Sequence, residues 1–151
     1  MKRAALLLFF LCAAAAAQGP ETPSLPDDPA ELLGLTPAQA LERYGAPARV
    51  YAVRGQEAWQ DDVVFDYGVF SLFLFGDKVW QVRVSVDYPL PVLGFMPGSD
   101  LERVQAALGL PASSGEDYTE WDLPGQGWPV RLRIATGQDG RTDLYIYRAD
   151  F

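Results

Sequence analysis

The sequence predicts an α+β fold of two tandem repeats, each a short helical hairpin packed on a three- to four-stranded antiparallel sheet. Three observations predict it. Matching residues recur in one order in both halves of the 151-residue chain, each half contains a helix start and stop, and each helix is followed by strand-like alternation. Repetition at this period is the mark of duplicated supersecondary units.

Leu33-Gly34-Leu35-Thr36-Pro37 matches Leu93-Gly94-Phe95-Met96-Pro97, and Leu41-Glu42-Arg43 matches Leu101-Glu102-Arg103 at the same offset. Gly45-Ala46-Pro47 then matches Gly109-Leu110-Pro111, and Trp59 and Trp121 hold similar places further on. These matches divide the chain into 1–17, 18–29, 30–88 and 89–151. The last two segments are repeat 1 and repeat 2.

Residues 1–17 read as a cleavable signal peptide: Lys2 and Arg3, an apolar run, then small residues before Gln18. Phe9, Phe10 and Leu11 precede Cys12, a poor setting for lipidation, so this cysteine is expected to leave with the signal. No integral membrane span is expected after cleavage, and the destination is the periplasm or the exterior. Residues 18–29 carry Pro20, Pro23, Pro26 and Pro29 and predict an extended linker.

In repeat 1, a turn over Asp28–Leu33 precedes a helix capped by Thr36. Pro37 takes its first position, Gln39 reaches back to the cap, and Gly45 ends it. In repeat 2, Ser99 is the expected cap with Glu102 completing the box, and Gly109 and Pro111 end the helix. Strands are expected at Val50–Arg54, Val63–Tyr67 and Val69–Phe75. A tight turn at Gly76-Asp77-Lys78 then leads into Val79–Val86. In that last strand Trp80, Val82, Val84 and Val86 on one face alternate with Gln81, Arg83, Ser85 and Asp87 on the other. The second repeat offers Asp117–Trp121, Val130–Ala135 and Asp143–Arg148. Such alternation marks a sheet covered on one side.

Leu33-Gly34-Leu35-Thr36-Pro37-Ala38-Gln39-Ala40-Leu41 with Tyr44-Gly45-Ala46-Pro47 resembles the opening pattern of the tandem-repeat β-lactamase-inhibitor-protein-like fold. That superfamily is related to small lipoproteins of the outer-membrane assembly machinery. The resemblance implies a concave sheet that binds another protein. It does not imply β-lactamase as the target, and no inhibitory motif carries over.

The chemistry available is narrow. Histidine is absent and Cys12 is the single cysteine, which removes histidine-based triads, thiol chemistry and thiolate or imidazole metal sites. No metal or cofactor is called for. With 12 basic against 20 acidic residues the chain repels phosphate backbones, so nucleic acid is excluded as a partner. The carboxylates at Asp61, Asp62, Asp66, Glu116, Asp117, Glu120 and Asp122 read as solvated loop charge or as an acid/base pair. Gln138–Asp143 reads as a hairpin turn rather than a calcium loop. Trp59, Trp121 and Trp128 are either packing residues or stacking platforms for a ligand.

What remains is a surface. Alternation places Arg131, Arg133, Tyr145 and Tyr147 on the open face of the second sheet, and Gln81, Arg83 and Ser85 on that of the first. Arginine and tyrosine dominate protein-binding hot spots. The expected protein-binding residues are therefore Arg83, Arg131, Arg133, Tyr145 and Tyr147, and the expected function is an exported, non-catalytic binding module for another envelope or secreted protein. Two alternatives stand beside it: a carrier of a small apolar ligand between helix and sheet around Phe70–Phe75, and a carboxylate-dependent hydrolase.

Overall fold

The structure, a computed structural model, describes residues 23–55, 61–136 and 142–150. The expected signal peptide with Cys12, the start of the proline-rich stretch, Trp59 and residues 138–141 of the hairpin lie outside the described residues.

The fold is largely β. Eight strands form one antiparallel sheet: β1 (Arg49–Val53), β2 (Asp62–Asp66), β3 (Phe70–Phe75), β4 (Lys78–Val84), β5 (Ser113–Ser114), β6 (Tyr118–Leu123), β7 (Val130–Thr136) and β8 (Thr142–Arg148). Their order is β1-β2-β3-β4-β8-β7-β6-β5. The helices are α1 (Pro37–Tyr44) and α2 (Leu101–Leu108), with a 3-10 turn at Pro29–Leu32.

This overturns the expected pair of helical hairpins, each on its own small sheet. Each half supplies one eight-residue helix and four consecutive strands. The two sets of strands join through β4 and β8, where Val82 pairs with Ile146 and Arg83 with Tyr145. The second helical segment is missing for a local reason. Pro89, Pro91 and Pro97 punctuate the stretch before α2, and prolines in a helix interior remove the backbone bonds that propagate it.

Several elements follow from side-chain chemistry. Thr36 and Gln39 form a reciprocal capping box at α1. At α2 the cap is Asp100, not Ser99; its carboxylate accepts from the Arg103 N–H at 2.9 Å. Gly76 and Asp77 both adopt positive φ, as a two-residue hairpin turn of this hand requires.

One face of the sheet carries the core. Phe70, Leu72, Leu74, Val79, Val82, Val84, Trp121, Leu132, Leu144 and Ile146 are all buried there. Their cover comes from Ala40 of α1, Val104 of α2, the 3-10 turn with Ala30 and Leu32, and the loop residues Tyr88, Val92 and Phe95. Residues 23–29 belong to this cover. Leu25 is buried, and its N–H donates to the Tyr88 hydroxyl at 2.7 Å. Gly34 passes against Trp128, where a Cβ would come within 3.2 Å of the indole, so a side chain there would crowd the ring as well as strain the backbone at φ +87°.

Alternation fails at one position. The β3–β4 register shifts between Phe73 and Leu74, so Val79 pairs with Leu74 while Gln81 pairs with Phe73, and Trp80 is the extra residue. The expectation that Trp80 shares the buried face with Val82 and Val84 is thereby corrected. Its indole N–H turns instead to Asp62 on β2, at 3.0 Å. Val79, freed from regular pairing with β8, exchanges backbone bonds with Gly34 and Leu35 at 2.7 and 2.8 Å.

Candidate functional site

Antiparallel pairing puts directly opposed residues on the same face. Arg131 and Arg133 on β7 oppose Tyr147 and Tyr145 on β8, which in turn oppose Gln81 and Arg83 on β4. The five residues expected to bind protein therefore lie on one continuous open face, opposite the core. Glu120 and Asp122 on β6 join them by pairing with Arg133 and Arg131, and Tyr118 follows opposite Ala135.

The centre of this face is a carboxylate. Glu120 is 4% exposed. It accepts from Arg133 Nη2 at 2.7 Å, from Ser113 Oγ at 2.9 Å and from the Tyr147 hydroxyl. Burial alone pushes its carboxyl up. The hydrogen bonds from Tyr147, Arg133 and Ser113, with the Arg133 charge, outweigh burial and hold it below the ordinary carboxylate range. Burial and the bond to Glu120 push the Tyr147 phenol up, so both groups keep the protonation states that the contact needs. The Arg133 guanidinium lies 4.6 Å from the centre of the Tyr118 ring and 5.7 Å from that of Tyr147, within cation–π range of both.

The other arginines are held in the same manner. Arg131 binds Asp122 at 3.1 Å on the rim. Arg83 binds Asp143 at 2.7 Å, and Asp143 also accepts the Val86 N–H at 3.2 Å. Arg49 on β1 lies over buried Asp66, with Nε 2.9 Å from the carboxylate, and Asp66 also accepts from the Gly68 N–H at 2.8 Å. Among the described residues, Arg49, Arg83, Arg131 and Arg133 are thus each held by a carboxylate of the same chain.

Between these groups is an open depression of about 340 Å³ lined by Trp80, Gln81, Arg133, Ala135, Tyr145 and Tyr147. Trp80, Tyr145 and Tyr147 give it aromatic walls, and Gln81 and Arg133 supply polar groups. A second depression of about 290 Å³ lies on the opposite side of the sheet, lined by Pro37, Val63, Phe65, Leu74 and Phe75 together with Asp61 and Asp77.

Trp80, Tyr118, Glu120 and Asp143 were not among the expected site residues. The bulge hid Trp80. The sequence reads Glu120 as loop charge or as half of an acid/base pair, although its place opposite Arg133 becomes readable once Leu123 and Val130 are taken as the ends of one hairpin. Trp121 and Trp128 serve packing. The Trp121 indole donates to the Gly109 carbonyl at 3.0 Å, and Trp128 lies under the Arg148 guanidinium at 4.4 Å. Among the described residues, no helix is long and apolar enough to cross a membrane, and no three acidic side chains gather into a metal site.

Comparison with protein-family models, with curated proteins and with solved structures finds no match in any of the three.

Proposed function

We propose that this chain is an exported, non-catalytic protein-binding module of the cell envelope, and that it grips another envelope or secreted protein with the open face of its sheet. The observation that carries this reading is the Glu120–Arg133–Tyr147 cluster beside the Trp80–Tyr145 depression. Association costs side-chain entropy, and groups already locked in place lose less of it. Here the arginine and tyrosine side chains are fixed before any partner arrives, and they are of the types that anchor interfaces. A sheet that binds protein is also what the resemblance to β-lactamase-inhibitor-like proteins implies.

The carboxylates support a binding role over a hydrolytic one. Asp61, Asp66, Glu120 and Asp122 each hold an arginine: Arg54, Arg49, Arg133 and Arg131 in turn. The depression beside Phe75 is open and has two carboxylates in its lining, which suits an enclosed apolar cargo less well than the aromatic face suits a protein surface.

The test is site-specific photocrosslinking in the native envelope. A photoreactive residue replacing Tyr145 is expected to give one discrete adduct, and the same residue replacing Leu110, which is 87% exposed beyond α2, none. Adding Arg131→Glu to the Tyr145 probe is expected to abolish the adduct. Equal labelling from both positions, or an adduct indifferent to Arg131→Glu, ends the proposal.

A further inference from the structure

Among the described residues, the two edges of the sheet are β1 and β5. They differ sharply. β5 is two serines, too short to template another strand, whereas β1 has five residues, all exposed.

The direction of the β1 backbone groups follows from the ladder. The Tyr67 N–H donates to the Phe70 carbonyl at 2.9 Å, closing the β2–β3 hairpin. Hydrogen-bonded and non-bonded pairs alternate along an antiparallel ladder. Phe65, opposite Leu72, therefore turns its backbone toward β3, while Val64 and Asp66 turn theirs toward Tyr51 and Arg49 of β1. The N–H and C=O groups of Val50 and Ala52 are left aimed outward from the sheet.

Natural edges of this kind are blunted by proline, lysine or a bulge. Arg49-Val50-Tyr51-Ala52-Val53 has none of these. Its one charge, Arg49, is folded back onto Asp66, and Arg54 just beyond is paired with Asp61 at 2.6 Å. The edge is neutral on a chain whose net charge is −8. On the cover side, Val50 and Val63 are 58% and 46% exposed.

We propose that β1 is where a second copy of this chain adds, edge to edge and antiparallel, about a two-fold axis through Tyr51. The strand is its own complement in that register. Val50 exchanges backbone bonds with the partner's Ala52, and Tyr51 meets the partner's Tyr51 on the open face. Arg49 stands opposite the partner's Val53, so no like charges meet. Val50 and Ala52 of the two copies shield each other on the cover side. The join extends the sheet and sets two open faces side by side. Pairing of five-residue edges buries less than the roughly 1,200–2,000 Å² of a stable complex, so the dimer is weak and concentration-dependent.

Sedimentation of the protein in its native processed form, from about 1 µM to about 1 mM, is expected to shift from the mass of one chain to that of two. Ala52→Pro removes an outward N–H without touching the ladder to β2, and Val50→Lys brings charge to the edge. Each is expected to weaken association by at least about tenfold with circular dichroism unchanged. Should Ala52→Pro misfold, Val50→Lys carries the test. Register is read separately: Tyr51→Cys is expected to form an interchain disulfide on mild oxidation and Val50→Cys is not, since only position 51 meets itself across the axis. A single-chain mass throughout the range, association untouched by Val50→Lys, or a dimer that Tyr51→Cys does not crosslink overturns the proposal.

Discussion

The Tyr147 hydroxyl on β8 donates to the Glu120 carboxylate on β6, reaching across β7 between Arg131 and Arg133. Two strands that are not neighbours are thereby tied together on the face opposite the main core cluster.

Tyr147→Phe removes that donor and leaves the ring. Hydrogen bonds to charged groups contribute about 1.5–3 kcal/mol, and Glu120 keeps Arg133 and Ser113, so a loss near the lower end, about 1.5 kcal/mol, is expected. Urea unfolding monitored by tryptophan fluorescence measures it. No change in the midpoint would mean that the contact contributes nothing to stability.

Acid should release the same cluster. The Glu120 carboxyl is lower in the folded state than in the unfolded chain, so its contribution is complete above the unfolded value of about 4.3. It is lost as pH falls from there through the folded value. Glu120→Gln is expected to be less stable than the parent at pH 7, with the gap closing below about pH 4. A gap of constant size across that window refutes the assignment.

Asp62 has the opposite sign. Burial, with Asp61 nearby, raises its carboxyl despite the Trp80 hydrogen bond. The stability it gives is complete below the unfolded value of about 3.9 and is lost as pH rises through the folded value. Asp62→Asn keeps an acceptor for Trp80 and removes the buried charge. It is expected to raise the melting temperature at pH 7, with the advantage vanishing in acid.

The two faces should respond to truncation very differently. Leu132 is fully buried, and Leu132→Ala is expected to cost about 2–5 kcal/mol. Its neighbour Arg131 pairs with exposed Asp122 at the rim, and Arg131→Ala is expected to leave the unfolding midpoint close to that of the parent. Chemical denaturation of the two variants distinguishes them; equal losses would mean that the open face is covered.

Short-range features were legible in the residues. Thr36 and Gln39 announce their capping box, Gly76-Asp77 its turn, and the alternation of β7 and β8 the shared face of Arg131, Arg133, Tyr145 and Tyr147. What escaped was long-range or one residue wide. Nothing local in Val82 or Ile146 says that their strands pair, so one sheet read as two. The bulge at Trp80 leaves no mark in an otherwise regular run, and Ser99 and Asp100 are both good caps separated by a single step. Glu120 reads only as loop charge or half of an acid/base pair, because its place in the arginine–tyrosine face comes from Arg133, on the strand across the hairpin.

The β4–β8 seam has a kinetic consequence. Every other neighbour in the sheet is reached through a nearby connection, whereas the seam's ion pair, Arg83 with Asp143, joins positions 60 residues apart. Closing so large a loop is entropically costly before any contact repays it. The meanders on either side can zip from their own turns, and their meeting sets the pace. A newly made chain is therefore expected to pass through a stage in which β4 and β8 are both bare edges, the interval in which mispairing with its neighbours is easiest.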